Sequence, residues 1–323
     1  MMRRAGALGC AMLAATAALG AAGDVAAAGA ASGYHYSHVF VRRSGSPCRD
    51  VFLDGADERG DTLAGTVYCG STRAFLRSGR QARLLSLPRR AGRNTEAGGV
   101  ADDGTSVLLS FTPTSGRYAS YLRTPAGGLR RLPDPRAGEG GTVATDVNVH
   151  GEVVGYYYVA GSGSPTRGFV FDGTRARDLR LPGRHASSVQ VLAVNNHGDL
   201  AGTYTTRTGR LHGFVVVRGS LHVVDAPGAG SRAGDGTEVT SIDDRRDYAG
   251  AVFFGGPGND DNPFVTHSRG FVHRHGRFQR IAVPRSWGSN TMVTSVSDTG
   301  SVVGSYIALT GQGWAWRGFT ADR

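Results

Sequence analysis

Short apolar runs broken by turn residues pattern this chain from residue 36 to its end, and none of them holds a helical period. The clearest stretches are Val143–Tyr158 (VATDVNVHGEVVGYYY) and Val191–Thr206 (VLAVNNHGDLAGTYTT). Each is followed by a run with a Gly-Phe pair, Arg167–Gly173 and His212–Gly219, and then by a short apolar run that stops at Pro182 or Pro227. Runs rich in Val, Tyr, Phe and Thr and bounded by Gly, Asn, Asp and Pro predict strands. Each stretch therefore reads as one four-stranded unit. Strand one ends at an Asn/Asp turn, strand two follows the turn glycine, strand three carries Gly-Phe and strand four ends at Pro. The turn has a mechanism: the Asn or Asp side chain caps its own turn and the glycine takes the positive φ.

The turn glycine recurs as Gly60, Gly104, Gly151, Gly198 and Gly300, with Arg246 in its place in the fifth copy, at spacings of 44, 47, 47, 48 and 54. A second glycine follows as Gly65, Gly155, Gly202, Gly250 and Gly304; the second copy has Leu108 there and is the most degraded. A unit that cannot bury its own faces must stack on copies of itself. The last copy stops after strand three, at Arg323, whereas the chain opens with a strand that has no partners, Tyr36–Arg43. Supplying the missing outer strand would join the termini and leave only short edges. The expected fold is all-β: a six-bladed β-propeller over residues 36–323, with repeats of about 48 residues, closed by the N-terminal strand. Seven blades or an open repeat stack are the alternatives.

These motifs resemble the bacterial extracellular repeat called the HAF family, whose units look like A-x-x-I-N-x-x-G-x-I-V-G, a variable loop, H-A-F-L and a closing apolar strand. Here the likeness runs through Ala193-Val194-Asn195-Asn196-His197-Gly198-Asp199-Leu200-Ala201-Gly202 and His212-Gly213-Phe214-Val215. Arg replaces His before the Gly-Phe pair in several copies. The resemblance implies an exported protein and brings no catalytic residues with it.

Residues 1–31 have a different composition. Arg3 and Arg4 precede an Ala- and Leu-rich run, and small residues suited to cleavage follow, which reads as a secretory signal peptide. No later segment has the length and apolarity of a membrane span. Export permits disulfides. Cys48 and Cys69 are equidistant from the turn Asp57–Gly60, so a hairpin would set them face to face across its ladder.

All 36 basic residues are Arg, and the net charge of +10 falls to +9 without Arg3, Arg4 and Asp24. Arg makes bidentate contacts with carboxylate and phosphate that Lys cannot. The connections between units carry Arg90, Arg93, Arg136, Arg184 with His185, Arg232, and Arg285 with Trp287. In a closed ring they would crowd onto one face around the central channel and offer it to an anionic ligand. Copy five carries an insertion, Phe254–His267. Within it Asp260 and Asp261 are hard ligands for Ca²⁺ without a standard loop spacing, and His267, His273 and His275 follow nearby. Trp314 and Trp316, two apart on one strand, are expected to pack between blades. No nucleophile elbow, zincin helix or phosphate-binding loop occurs. The composite expectation is a secreted, monomeric, non-enzymatic binding or scaffold protein with no required cofactor. It would engage an anionic glycan, cell-wall polymer or protein rather than nucleic acid. The alternative is a propeller hydrolase or lyase with carboxylates and histidines from several blades meeting at the channel.

Overall fold

The computed structural model describes residues 34–323 apart from 44–45, 49, 89–90, 92–93, 113, 134–139, 162–164, 182–185, 256–266, 285–288 and 312. The described chain is all strand and turn, and no helix in it is long and apolar enough to cross a membrane. After β1 (His35–Val39) and the small pair β2 (Arg42–Arg43) and β3 (Ser46–Pro47), the strands follow the sequence repeat. Unit one is β4 (Asp50–Ala56), β5 (Thr62–Tyr68), β6 (Thr72–Ser78) and β7 (Gln81–Leu85). Unit two is β8 (Thr95–Val100), β9 (Ser106–Thr112), β10 (Arg117–Arg123) and β11 (Leu129–Arg131). Unit three is β12 (Thr142–Val147), β13 (Val153–Tyr158), β14 (Thr166–Phe171) and β15 (Ala176–Asp178). Unit four is β16 (Ala186–Val194), β17 (Leu200–Thr206), β18 (Leu211–Val217) and β19 (Ser220–Val224). Unit five is β20 (Gly236–Ile242), β21 (Tyr248–Phe254), β22 (His267–Arg274) and β23 (Arg277–Ile281). Unit six is β24 (Ser289–Val296), β25 (Val302–Thr310) and β26 (Gly313–Asp322).

Each unit is an antiparallel meander in chain order, and units four and five are joined by one parallel pair, Leu211 with Gly236. Unit six gains its fourth strand from the other end of the chain. β1 pairs with β26 from His35–Asp322 to Val39–Gly318. The expected N-terminal strand is shorter than the sequence suggested; pairing stops at Val39, and Phe40 turns outward to solvent.

The apolar clusters lie between sheets rather than within them. One joins Val107, Leu109 and Tyr118 of unit two to Tyr156, Tyr158 and Phe169 of unit three. Another joins Leu53, Val67 and Phe75 of unit one to Val303 of unit six. There Trp316 stands edge-on to Phe52, with ring centroids 5.4 Å apart, so this tryptophan packs between units as expected.

The second glycine of each repeat has a steric reason. Gly202 pairs with Phe214 across β17 and β18, and the phenyl ring lies over the glycine. A Cβ at Gly202 would stand 2.7 Å from Phe214 Cζ and closer still to the Gln190 carbonyl. The same pairing recurs at Gly65–Phe75, Gly155–Phe169, Gly250–Phe271 and Gly304–Phe319. It is the cross-strand arrangement in which an aromatic ring covers a bare backbone. Unit two departs from it: Leu108 fills this space with its own side chain, and its partner Tyr121 is only half-buried.

Cys48 and Cys69 form a disulfide with Cα atoms 4.8 Å apart. Closing a loop with a sequence separation of 21 contributes roughly 3 kcal/mol in the chain-entropy account. Replacing Gly202 by Ala should cost about 3 kcal/mol, because neither the Phe214 ring nor the Gln190 carbonyl can retreat within a packed sheet. Thermal unfolding of Gly202→Ala beside an exposed-turn control with open space around it, Gly311→Ala, tests this; equal losses at both sites would refute the steric account.

Candidate functional site

The first strand of every unit carries one extra residue at the same height. The register shifts between Leu53 and Gly55, Ala97 and Val100, Ala144 and Asp146, Val191 and Ala193, Val239 and Ser241, and Val293 and Ser295. Such a bulge bends the strand and removes backbone groups from the ladder. The neighbouring unit supplies their partners. The N–H groups of Leu53, Ala97 and Ala144 donate to the hydroxyls of Ser305, Thr66 and Ser120, at 3.0, 3.0 and 2.9 Å. The hydroxyls of Thr145 and Thr240 donate to the Val191 and Val293 carbonyls, at 2.9 and 2.8 Å.

Below the bulges, the turns between strands one and two form a polar belt. Asn148 Oδ1 accepts from the His150 and Glu152 N–H groups, which is the expected self-capping, and Asp57, Asn195 and Asp243 repeat it. The Asn148 amide also donates to the Asn195 carbonyl at 3.0 Å, and the Asn195 amide to the Asp243 carbonyl at 2.8 Å. One residue further on, Val149 N–H donates to Asn196 Oδ1, Asn196 N–H to Asp244 Oδ1, Asp244 N–H to Asp298 Oδ1 and Asp298 N–H to the Glu58 carbonyl. The belt thus passes from unit three to unit six and on to unit one.

Arg246 replaces the turn glycine at a φ of 65°. A non-glycine residue in this region costs about 1 kcal/mol. Its Nε lies 2.8 Å from Asp199 Oδ2, whose residue is 3% exposed, and leaving a buried carboxylate unpaired would cost about 3 kcal/mol. The ion pair outweighs the strain.

The belt gathers carboxylates. Glu58 Oε2 is buried with no hydrogen-bond partner. Burial, then Asp244, Asp146, Asp298 and Asp243, push the Glu58 carboxyl up to about 10. Burial also raises Asp146 and Asp243 to about 7, and raises Asp54 well above the usual carboxylate range. Glu96 and Glu238, on the first strands of units two and five, are raised to about 7 for the same reason. The space between the first strands, lined by Asp54, Glu58, Asp146, Asn148 and Asn196 among others, amounts to ≈ 30 Å³. That is room for about one water and for no sugar. Among the described residues no group of three His, Cys, Asp or Glu is placed to hold a metal ion.

Arginine is distributed in the opposite sense. No first or second strand of any unit contains one. Third and fourth strands carry Arg73, Arg77, Arg83, Arg117, Arg123, Arg130, Arg131, Arg167, Arg177, Arg269, Arg274, Arg277, Arg280 and Arg317, and only Asp178 and Asp322 as acids. Strand by strand the charge is sorted in five of the six units, with arginines confined to third and fourth strands; unit four has none on its strands, and Arg59, Arg245 and Arg246 lie in first turns beside the carboxylates. Sequence reasoning located arginine in the connections and missed this arrangement; aligning the repeats strand by strand carries the signal.

Of the sequence-predicted site residues, Arg90, Arg93, Arg136, Arg184, His185, Arg285, Trp287, Asp260 and Asp261 lie outside the described residues. Arg232 is exposed, and its N–H donates to Asp235 Oδ2 at 3.0 Å. The histidines of copy five are not brought together. His267 stacks on Phe254 at one end of β22, and His273 stacks on Tyr248 six residues away. At about 3.3 Å per residue that separation is roughly 20 Å. His275 sits in the hairpin turn beyond, at a φ of 49°.

No protein-family model matches the chain, and no curated protein sequence does. Among solved structures, the six-bladed lectin from Aleuria aurantia covers 84% of this chain and 96% of its own, at 12% identity and a TM-score of 0.50. The fold is of the β-propeller type. A triple arginine-to-alanine mutant of AofleA from Arthrobotrys oligospora covers 88% of this chain and 86% of its own, at 15% identity and a TM-score of 0.49. A putative gluconolactonase covers 90% and 92%, at 12% identity and 0.48.

A carboxyl whose pKa is raised on folding binds its proton more tightly in the folded state. Between its unfolded and folded pKa values, stability then falls as pH rises. Glu58, Asp146 and Asp243 set this window at about pH 4 to 7, extending to about 10 for Glu58. The melting temperature should therefore drop from pH 5 to pH 9, and Glu58→Gln should raise it at pH 9 more than at pH 5. Parallel curves for the two proteins would remove Glu58 from this role.

Proposed function

We propose that this chain is an exported six-bladed propeller, closed by its N-terminal strand, that binds an anionic extracellular glycan through its arginines and catalyses no reaction. The sorting of charge carries this reading: arginine is excluded from the first two strands of every unit, and fourteen arginines lie on the third and fourth strands of five of the six. An outer wall of arginines attracts polyanions over a Debye length and holds their oxyanions in bidentate pairs. The pairing of β1 with β26 and the packing of unit six on unit one support ring closure. The disulfide supports export to an oxidising compartment. The likeness of fold to a lectin whose printed description is of fucose recognition supports a glycan as the ligand class. A hydrolase or lyase would work through the channel carboxylates, and a space for one water opposes that alternative.

The reading predicts salt-sensitive binding of the chain lacking residues 1–31 to polygalacturonate, and none to a neutral glucan. Two double charge reversals locate the face. Arg177→Glu with Arg277→Glu tests the outer wall, and Arg184→Glu with Arg232→Glu tests the connections. Loss of about threefold or more at low salt for the wall pair is the expected outcome. Binding that ignores both salt and these reversals would overturn the reading.

A further inference from the structure

Two arginines of the third and fourth strands have little exposure, and one of them, Arg274, is paired with Asp247. Arg123, the last residue of β10, is 7% exposed. Among the described residues its guanidinium has neither a hydrogen bond nor an ion pair, and the charge nearest to matter is Arg83 on β7 of the neighbouring unit, which together with burial lowers its pKa. The burial is that of the side-chain stem, and the guanidinium opens on the space beside it.

Arg123 lines a cleft between units one and two, ≈ 160 Å³ in volume, with Arg83, Ser86, Leu85, Leu108 and Leu129. A cavity of about this volume, 150 Å³, accommodates a six-membered ring such as benzene. Leu108 is the residue that breaks the repeat, standing where the other units have the glycine beneath the aromatic ring. The hairpin beside the cleft turns at Gly127, with a φ of 91°, where even a Cβ would stay 3.9 Å from Arg123 Nη2.

We propose that this cleft binds one acidic sugar residue, a pyranose whose carboxylate or sulfate group pairs with Arg123 and Arg83 while the ring lies against Leu85, Leu108 and Leu129. This inference rests on the anionic-glycan reading and names its primary pocket. The oxyanion is the shared chemistry, and the apolar wall suits the C–H face of a sugar.

The test is calorimetric titration of the chain lacking residues 1–31 with millimolar glucuronate, glucose 6-sulfate and glucose. Both or either of the acidic sugars should bind and glucose should not, and the stronger of the two names the natural oxyanion. Arg123→Met should weaken that binding by about tenfold or more. Its melting temperature should stay close to wild type, because methionine keeps the apolar stem that packs between the units. Acidic-sugar binding unchanged in Arg123→Met, or equal binding of glucose, would overturn the proposal. If polygalacturonate binds and responds to the Arg177 and Arg277 reversals while neither acidic monosaccharide binds, the pocket fails and the outer-wall reading stands. If no anion binds, both fail.

Discussion

A bulge leaves backbone groups without a partner in their own sheet, and a packed interior cannot leave them so. Here the bulge recurs on the first strand of every unit, and partners for the bulged strands come from the preceding unit. Ser305 answers Leu53, Thr66 answers Ala97 and Ser120 answers Ala144. No unit can satisfy its own backbone alone, just as none can bury its own apolar face. The stacking of units is thus required twice, by hydrogen bonding along the first strands and by the apolar clusters between the sheets.

That constraint orders the charge. Close to the bulges the backbone offers N–H groups and little space, so the side chains that fit are acceptors: Asp146 for the Val194 N–H, Asp244 for Asn196, Asp298 for Asp244. Their number raises the affinity of Glu58 for its proton, and the inner end of the fold tolerates its carboxylates partly by keeping them neutral. Long cationic side chains on the strands themselves stand only on third and fourth strands, and in the first turns Arg246 is matched to the Asp199 carboxylate. The basic surface and the acidic belt are two consequences of one packing geometry.

Much of this was legible in the residues. The four-stranded unit, the self-capping turns, the Cys48–Cys69 bridge and the pairing of the N-terminal strand with the last unit all follow from local patterns and from a strand left over at each end. The bulges were not legible, because one extra residue in Ala144-Thr145-Asp146 looks like ordinary alternation until the partner strand is seen. The copy-five histidines misled for a related reason. Nearness along a strand is distance in space, and His267 and His273 stand at opposite ends of β22.

The sequence by itself determined the period, the turn chemistry and the strand content of each unit, since these depend on contacts within a few residues or across one hairpin. Leu108 was visible there as a defect in the repeat, and Arg123 as one arginine among 36. Only the tertiary structure made them one place, by setting unit one against unit two so that Arg83, Leu108 and Arg123 wall the same cleft. The burial of the Arg123 stem and the nearness of Arg83 belong to that packing between units, and no pattern along a single strand encodes them.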